Sequence, residues 1–234
     1  MPRPQGVDPL HGVRAFLRGA RRAAEAVPEG PVAGTPGTRD LVAIGTSWGG
    51  LDALRTILRA LPGDLDAALV VAQHRGSDAH PSAFRTLLGA VTRLKVCDGD
   101  DKQAIDRGYV YLAPPDYHLL VEGDHLALSV EEPVAFSRPS IDVLLESAAE
   151  AYRERCVGVV LTGANDDGAR GLARIRELGG ATIVEDPARA ERPEMPRAAV
   201  AAVPDARVAQ LDEIATLLVE LCGTTTARES GAAS

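Results

Sequence analysis

Three residue types that can carry out acyl transfer together stand at comparable places in this chain. Gly45-Thr46-Ser47-Trp48-Gly49 satisfies G-x-S-x-G, the pattern of a turn that carries a strand into a helix and leaves a serine exposed between them. Its glycines let the backbone turn sharply. Backbone N–H groups at the helix N-terminus point outward and can stabilise an oxyanion. A serine hydroxyl is too weakly acidic to attack an acyl carbon unaided. An imidazole must take its proton, and a carboxylate must hold that imidazole in the right tautomer. His74 follows the apolar run 67–72, and Asp166 and Asp167 follow the run 157–161. Plainer roles fit the same residues singly: a phosphate-binding or capping turn at Ser47, a structural hydrogen-bonder at His74, a helix cap at either aspartate.

What decides between these roles is where the elements place the residues. The runs 41–46, 67–72, 94–97, 109–113, 157–161, 181–184 and 207–209 read as strands. Helical spacing follows at 51–61, where Leu51, Leu54, Ile57, Leu58 and Leu61 share a face, and at 81–91, 140–152, 168–178, 195–202 and 211–221. Leu119–Val121 and Leu126–Val130 flank Glu122-Gly123-Asp124-His125, which reads as a hairpin turn in a less buried, antiparallel region. Fully apolar strands between amphipathic helices imply an α/β fold: a doubly wound, mainly parallel sheet with helices on both faces, plus a small antiparallel hairpin. In such sheets the working site lies outside the carboxyl ends of the strands. Ser47, His74 and the loop from Thr162 to Gly168 all fall at such ends and are expected to converge. His11, His80, His118 and His125 are not.

Composition removes several function classes. The chain has 234 residues, of which 45% are hydrophobic and 3% aromatic, so aliphatic side chains must fill one substantial core. A net charge of −8 argues against a nucleic-acid binder. Cys97, Cys156 and Cys222 form no C-x-x-C pair, so neither a zinc site nor a disulfide framework is expected. Cys97 and Cys156 read as small core residues, and this usage fits a reducing cytoplasm. No apolar run is long enough to span a bilayer. G-x-G-x-x-G is absent because Ser47 occupies the second glycine position, and neither G-x-x-x-x-G-K-[ST] nor H-E-x-x-H occurs. No cofactor and no metal are expected.

The chain resembles the catalytic domain of the chemotaxis methylesterases, the CheB type, from about Asp40 to Leu221. Ala43–Gly50 is similar to that family's nucleophile loop, and Val70–His74 to its histidine strand. Tyr109–Pro115 with His118 is similar to its hairpin region, and Arg138–Leu144 to the segment entering its mid-chain helix. Leu161-Thr162-Gly163 with Asp167-Gly168-Ala169 matches its aspartate loop, and Met195–Ala199 a late loop and helix. The resemblance implies a cytoplasmic protein-glutamate methylesterase acting on glutamate γ-methyl esters of chemoreceptor helices, some members also deamidating glutamines. It implies Ser47 as nucleophile, His74 as general base and acid, and Asp167, selected over Asp166 by the Asp-Gly-Ala match, as the orienting carboxylate. Backbone amides at Trp48 and Ala164 are implied as oxyanion donors. Ala164-Asn165 stands where the family usually has Met-Gly, and Trp48 where it has a small residue; both bear on substrate more than on chemistry. A scaffold module that kept the fold is the competing reading, and an intact Ser47/His74/Asp167 set argues against it.

Three segments are expected: a flexible, basic tail over 1–38, a catalytic domain over 39–222, and a disordered tail over 223–234. Only about forty residues precede the first strand, too few for a phosphorylatable receiver domain of ordinary size. Control by intramolecular phosphorylation is therefore not expected, which leaves a constitutively active enzyme, one controlled by a separate chemosensory regulator, or one in a chemosensory-like system other than motility.

Overall fold

The computed structural model describes residues 39–74, 81–134 and 136–225. The 1–38 segment and most of the expected C-terminal tail lie outside these residues. Nine strands are described: β1 Leu41–Thr46, β2 Ala68–Gln73, β3 Lys95–Asp98, β4 Tyr109–Leu112, β5 His118–Glu122, β6 His125–Ser129, β7 Cys156–Val160, β8 Ala181–Glu185 and β9 Arg207–Ala209. The helices are α1 Gly50–Ala60, α2 Pro81–Gly89, α3 Ile141–Tyr152, α4 Ala169–Glu177, α5 Glu194–Ala202 and α6 Leu211–Cys222. Seven strands form one sheet in the order β3-β4-β2-β1-β7-β8-β9, and every pairing in it is parallel.

Successive side chains of a strand face opposite sides of the sheet. Here both sides are covered. Val42 and Ile44 point into a core with Leu54, Ile57 and Leu58 of α1 and Ile214 and Leu218 of α6. Leu41 and Ala43 point the other way, to Ile141, Leu144 and Leu145 of α3 and Leu172 of α4. Two buried faces explain why these strands read as unbroken apolar runs.

The β5–β6 hairpin is antiparallel and separate from the main sheet. It is less exposed than its sequence predicts: His118, Leu119, Leu120 and Val121 are all buried. The cause is α3, whose Val143 packs with Leu120, Ala127 and Val134. Cys97 also departs from expectation. It is half-buried on the edge strand β3, whereas Cys156 is fully buried. At the C-terminal end, order continues past the expected boundary at 222. Thr224 bridges to Leu65, the Gly223 carbonyl accepts from Asp66 N, and Thr225 N donates to the Asp64 carbonyl. These contacts satisfy backbone groups that would otherwise fray.

Candidate active site

Strand order reverses at β1: the chain runs outward through β2, then returns to the other flank at β7. Such a switch point opens a crevice beyond the carboxyl ends of the strands. Register fixes what faces it. Thr46 pairs with Gln73, and Gly45 with Val160, so Ser47, His74 and Thr162 emerge level with one another. Backbone bonds continue the ladder for one more step, His74 N to Thr46 O at 3.1 Å and Ser47 N to Thr162 O at 2.9 Å.

Ser47, His74 and the Asp167 loop, singled out separately in sequence, thus share one edge. His74 Nε2 lies 2.8 Å from Asp167 Oδ2. Asp166, the alternative carboxylate, is exposed and makes no side-chain contact with His74 among the described residues. Asp167 is buried, and its oxygens are fully occupied. Oδ2 also accepts from Ile141 N at 2.8 Å, and Oδ1 accepts from Asp142 N at 2.8 Å and Ser140 Oγ at 3.1 Å. Burial would raise its pKa, but the hydrogen bond and charge of His74 and the two N–H groups outweigh it and hold the carboxyl below its ordinary value. An ionised Asp167 can only accept. His74 therefore carries its proton on Nε2, which leaves Nδ1 with a free lone pair.

Asp167 does cap a helix, but not the one that follows it. Its two backbone donors are the first residues of α3, 25 and 26 positions earlier, where the helix dipole favours a negative charge. Asp142 of α3 returns the arrangement: its Oδ1 accepts from Gly168 N and Gly171 N at 2.9 Å each, at the start of α4. Each helix thus holds the other's N-terminus. Burial, then the neighbouring charge of Asp167, push the Asp142 carboxyl up.

Ser47 is half-buried. Among the described residues neither its hydroxyl nor His74 Nδ1 engages in a hydrogen bond; catalytic pairs commonly tighten only when substrate is bound. The Ser47 turn closes through Gly49 in the left-handed region, at φ 79°. Gly163 permits a close approach, since a Cβ there would lie 2.9 Å from Ser47 Cβ and would clash with the Met195 thioether. The N–H groups of Trp48 and Ala164 donate to nothing among the described residues. They are therefore free to receive an oxyanion.

Several supporting residues escape sequence reading. Gln73 Nε2 donates to the carbonyls of Ser47 at 2.6 Å and His74 at 3.2 Å, tying the two turns together. Ser140 N donates to His118 Nδ1 at 3.1 Å, and His118 Nε2 lies 3.2 Å from the Glu132 carbonyl. His118, on the hairpin strand β5, is thus buried behind Asp167, where sequence reading does not expect it, and burial pushes its pKa down. Thr162 N donates to the buried Glu185 Oε2 at 2.7 Å, and burial pushes that carboxyl up. The one available signal was Ser140, a serine placed before an apolar helix as an N-cap; the rest are long-range contacts.

The CheB methylesterase family profile matches residues 42–218. A protein of Leptospira interrogans is 44% identical over 183 residues, covering 78% of this chain and 94% of its own. Its name, in provisional form, is protein-glutamate methylesterase/protein-glutamine glutaminase. A Moorella thermoacetica protein carrying that name outright is 38% identical over 226 residues, 94% of this chain and 52% of its own. The chain spans about half the length of several such relatives, 54% for one from Cupriavidus pinatubonensis. The crystal structure of the Thermotoga maritima CheB methylesterase catalytic domain superposes with a TM-score of 0.74 at 29% identity, over 79% of this chain and 99% of that one. With its profile matched over most of its length and the fold shared with a solved member, the chain belongs to the CheB methylesterase family.

Proposed function

We propose that this protein is a protein-glutamate methylesterase, a serine hydrolase that removes methyl groups from glutamate γ-methyl esters on chemoreceptor helices. The observation that carries the reading is the His74 Nε2–Asp167 Oδ2 contact of 2.8 Å, set beside Ser47 at the switch point of the sheet. With Nε2–H donated to an ionised carboxylate, Nδ1 takes the Ser47 proton. Ser47 Oγ attacks the ester carbon. The amides of Trp48 and Ala164 hold the oxyanion, which they do best where donors stand ready before the charge develops. The carbon–methoxy bond breaks, and methanol leaves with the proton returned from His74. Water, deprotonated by the same ring, then releases a glutamate carboxylate and restores Ser47.

The same acyl-enzyme can form from a glutamine side chain with ammonia leaving, and the names of the relatives support this second outcome. Among the described residues no helix is long and apolar enough to cross a membrane, in keeping with work on the cytoplasmic parts of receptors. The test is methanol release from methylated receptors, run beside fluorophosphonate labelling. Wild type should release methanol and be labelled at Ser47, and Ser47→Ala should do neither. Labelling elsewhere, or methanol release that survives the substitution, refutes the mechanism.

A further inference from the structure

The residue after the candidate nucleophile is an exposed tryptophan engaged at its ring face, its indole N–H and its carbonyl. Trp48 is 60% exposed. Its indole Nε1–H donates to Glu191 Oε1 at 2.9 Å, and its carbonyl accepts from Thr162 Oγ1 at 2.9 Å. The Arg192 guanidinium lies over its face, 5.2 Å from the ring centroid, a distance at which cation and ring attract. The Arg192 backbone is fixed in turn. Its N–H donates to Thr162 Oγ1 at 2.8 Å, and its carbonyl accepts from Gly163 N at 3.0 Å.

The Arg192 charge is otherwise unused. Its guanidinium makes no ion pair and no hydrogen bond among the described residues. Arg138 and Arg170, also near the carboxyl edge of the sheet, are committed to Asp116 and Asp142. Arg189 and Arg197 share the segment and also lack acidic partners among the described residues, but among these three Arg192 is the one held against the ring beside Ser47. With one face on Trp48, its in-plane N–H groups remain, and their geometry matches a carboxylate. A chain of net charge −8 repels acidic partners at long range, so a cation beside the nucleophile acts locally and selectively. On a helix, residues three or four apart lie about 5–6 Å from each other on one face, and the Arg192 guanidinium is held against the ring of the residue that follows Ser47, so the group it meets on a substrate helix is a near neighbour of the ester.

We infer that Arg192, stacked on Trp48, is a specificity-determining residue that binds a free carboxylate one helical turn from the ester on the substrate helix. This rests on the methylesterase reading above. Glu191 on the indole edge repels a carboxylate arriving from that side, so only one direction along the helix is favoured.

The test uses three helical peptides with a single glutamate methyl ester: one with neutral neighbours, one with a glutamate one turn before the ester, one with it one turn after. At low salt, wild type should show kcat/KM about fivefold higher for one acidic peptide than for the neutral one, the scale of an exposed ion pair. In Arg192→Gln that ratio should fall to about one, and in wild type it should shrink as salt rises. A ratio is insensitive to any uniform loss of activity in the variant. A preference that survives Arg192→Gln, or no preference in wild type, overturns the inference and leaves the methylesterase reading standing. Failure of wild type to cleave any of the three overturns both.

Discussion

Asp167 is 2% exposed, and its two carboxylate oxygens accept from four donors. Ser47, at the same edge of the same sheet, is half-buried with a hydroxyl that engages none of the described residues. Beside it stands Trp48, largely in solvent. The site thus has a fixed half and an open half. The fixed half holds a charge, and a buried charge is tolerable only where hydrogen bonds replace its lost water. The open half must admit a substrate, so its donors and nucleophile stay unsatisfied until one arrives. Rigidity here follows electrostatic need and openness follows access, within a few residues of each other.

The sharpest break falls on the open half. Ser47→Ala should lower turnover on the order of 10⁶-fold, as for nucleophiles of comparable triads, with the thermal midpoint close to that of wild type because the hydroxyl makes no hydrogen bond among the described residues. Methanol release and a melting curve on the same sample check both parts. A large loss of stability would mean that the open half is structural after all.

On the fixed half, Asp167→Asn should cost roughly 10⁴-fold in turnover and, unlike the serine change, stability as well. An asparagine accepts on one oxygen only, against four donors. The pH dependence sharpens this. Asp167 has a lowered folded pKa, so its stabilisation is complete above the unfolded carboxylate value near 3.9 and is lost as pH falls through the lower folded value. Asp142 is raised, so its contribution runs the other way, with stability falling as pH rises from about 3.9 through its folded value. Chemical denaturation from pH 3 to 7 should therefore show the wild type's advantage over Asp167→Asn shrinking toward acid. Its advantage over Asp142→Asn should grow toward acid. Parallel pH profiles for the two variants would contradict the opposed shifts.

Smaller effects follow. Ser140→Ala removes the α3 N-cap and one donor to Asp167, and should lower stability by about 1 kcal/mol, or roughly 2–4 °C in Tm for a chain of this size. Asp166→Asn should change Tm and turnover least, within about 0.5 kcal/mol of wild type, because this exposed side chain has no partner among the described residues.

The parallel strands were legible because two buried faces write themselves as apolar runs, and the carboxyl-end rule then brought Ser47, His74 and the 162–168 loop to one edge. The companions of Asp167 were not legible. Sequence reasoning expects a carboxylate at 166 or 167 to cap the helix directly after it. In the folded chain Asp167 caps α3, and Asp142, 25 residues upstream, caps α4. That exchange depends on how two helices pack, which no local pattern records. His118 is not expected near the site because a single histidine ahead of a short apolar run carries no sign of the helix that will bury it. Glu191 and Trp48, 143 residues apart, meet only once the β8–α5 loop folds over the switch point.

The exchanged caps on α3 and α4 bear on how chains of this kind can be read. A descendant that had lost the ability to hydrolyse esters would still need the aspartate at 167 to keep two helices anchored, so selection for folding alone would preserve it. Nothing in the architecture protects the serine at 47 in the same way. Among divergent copies the serine is therefore the informative letter: its replacement marks a silenced enzyme, while a retained aspartate marks only an intact fold.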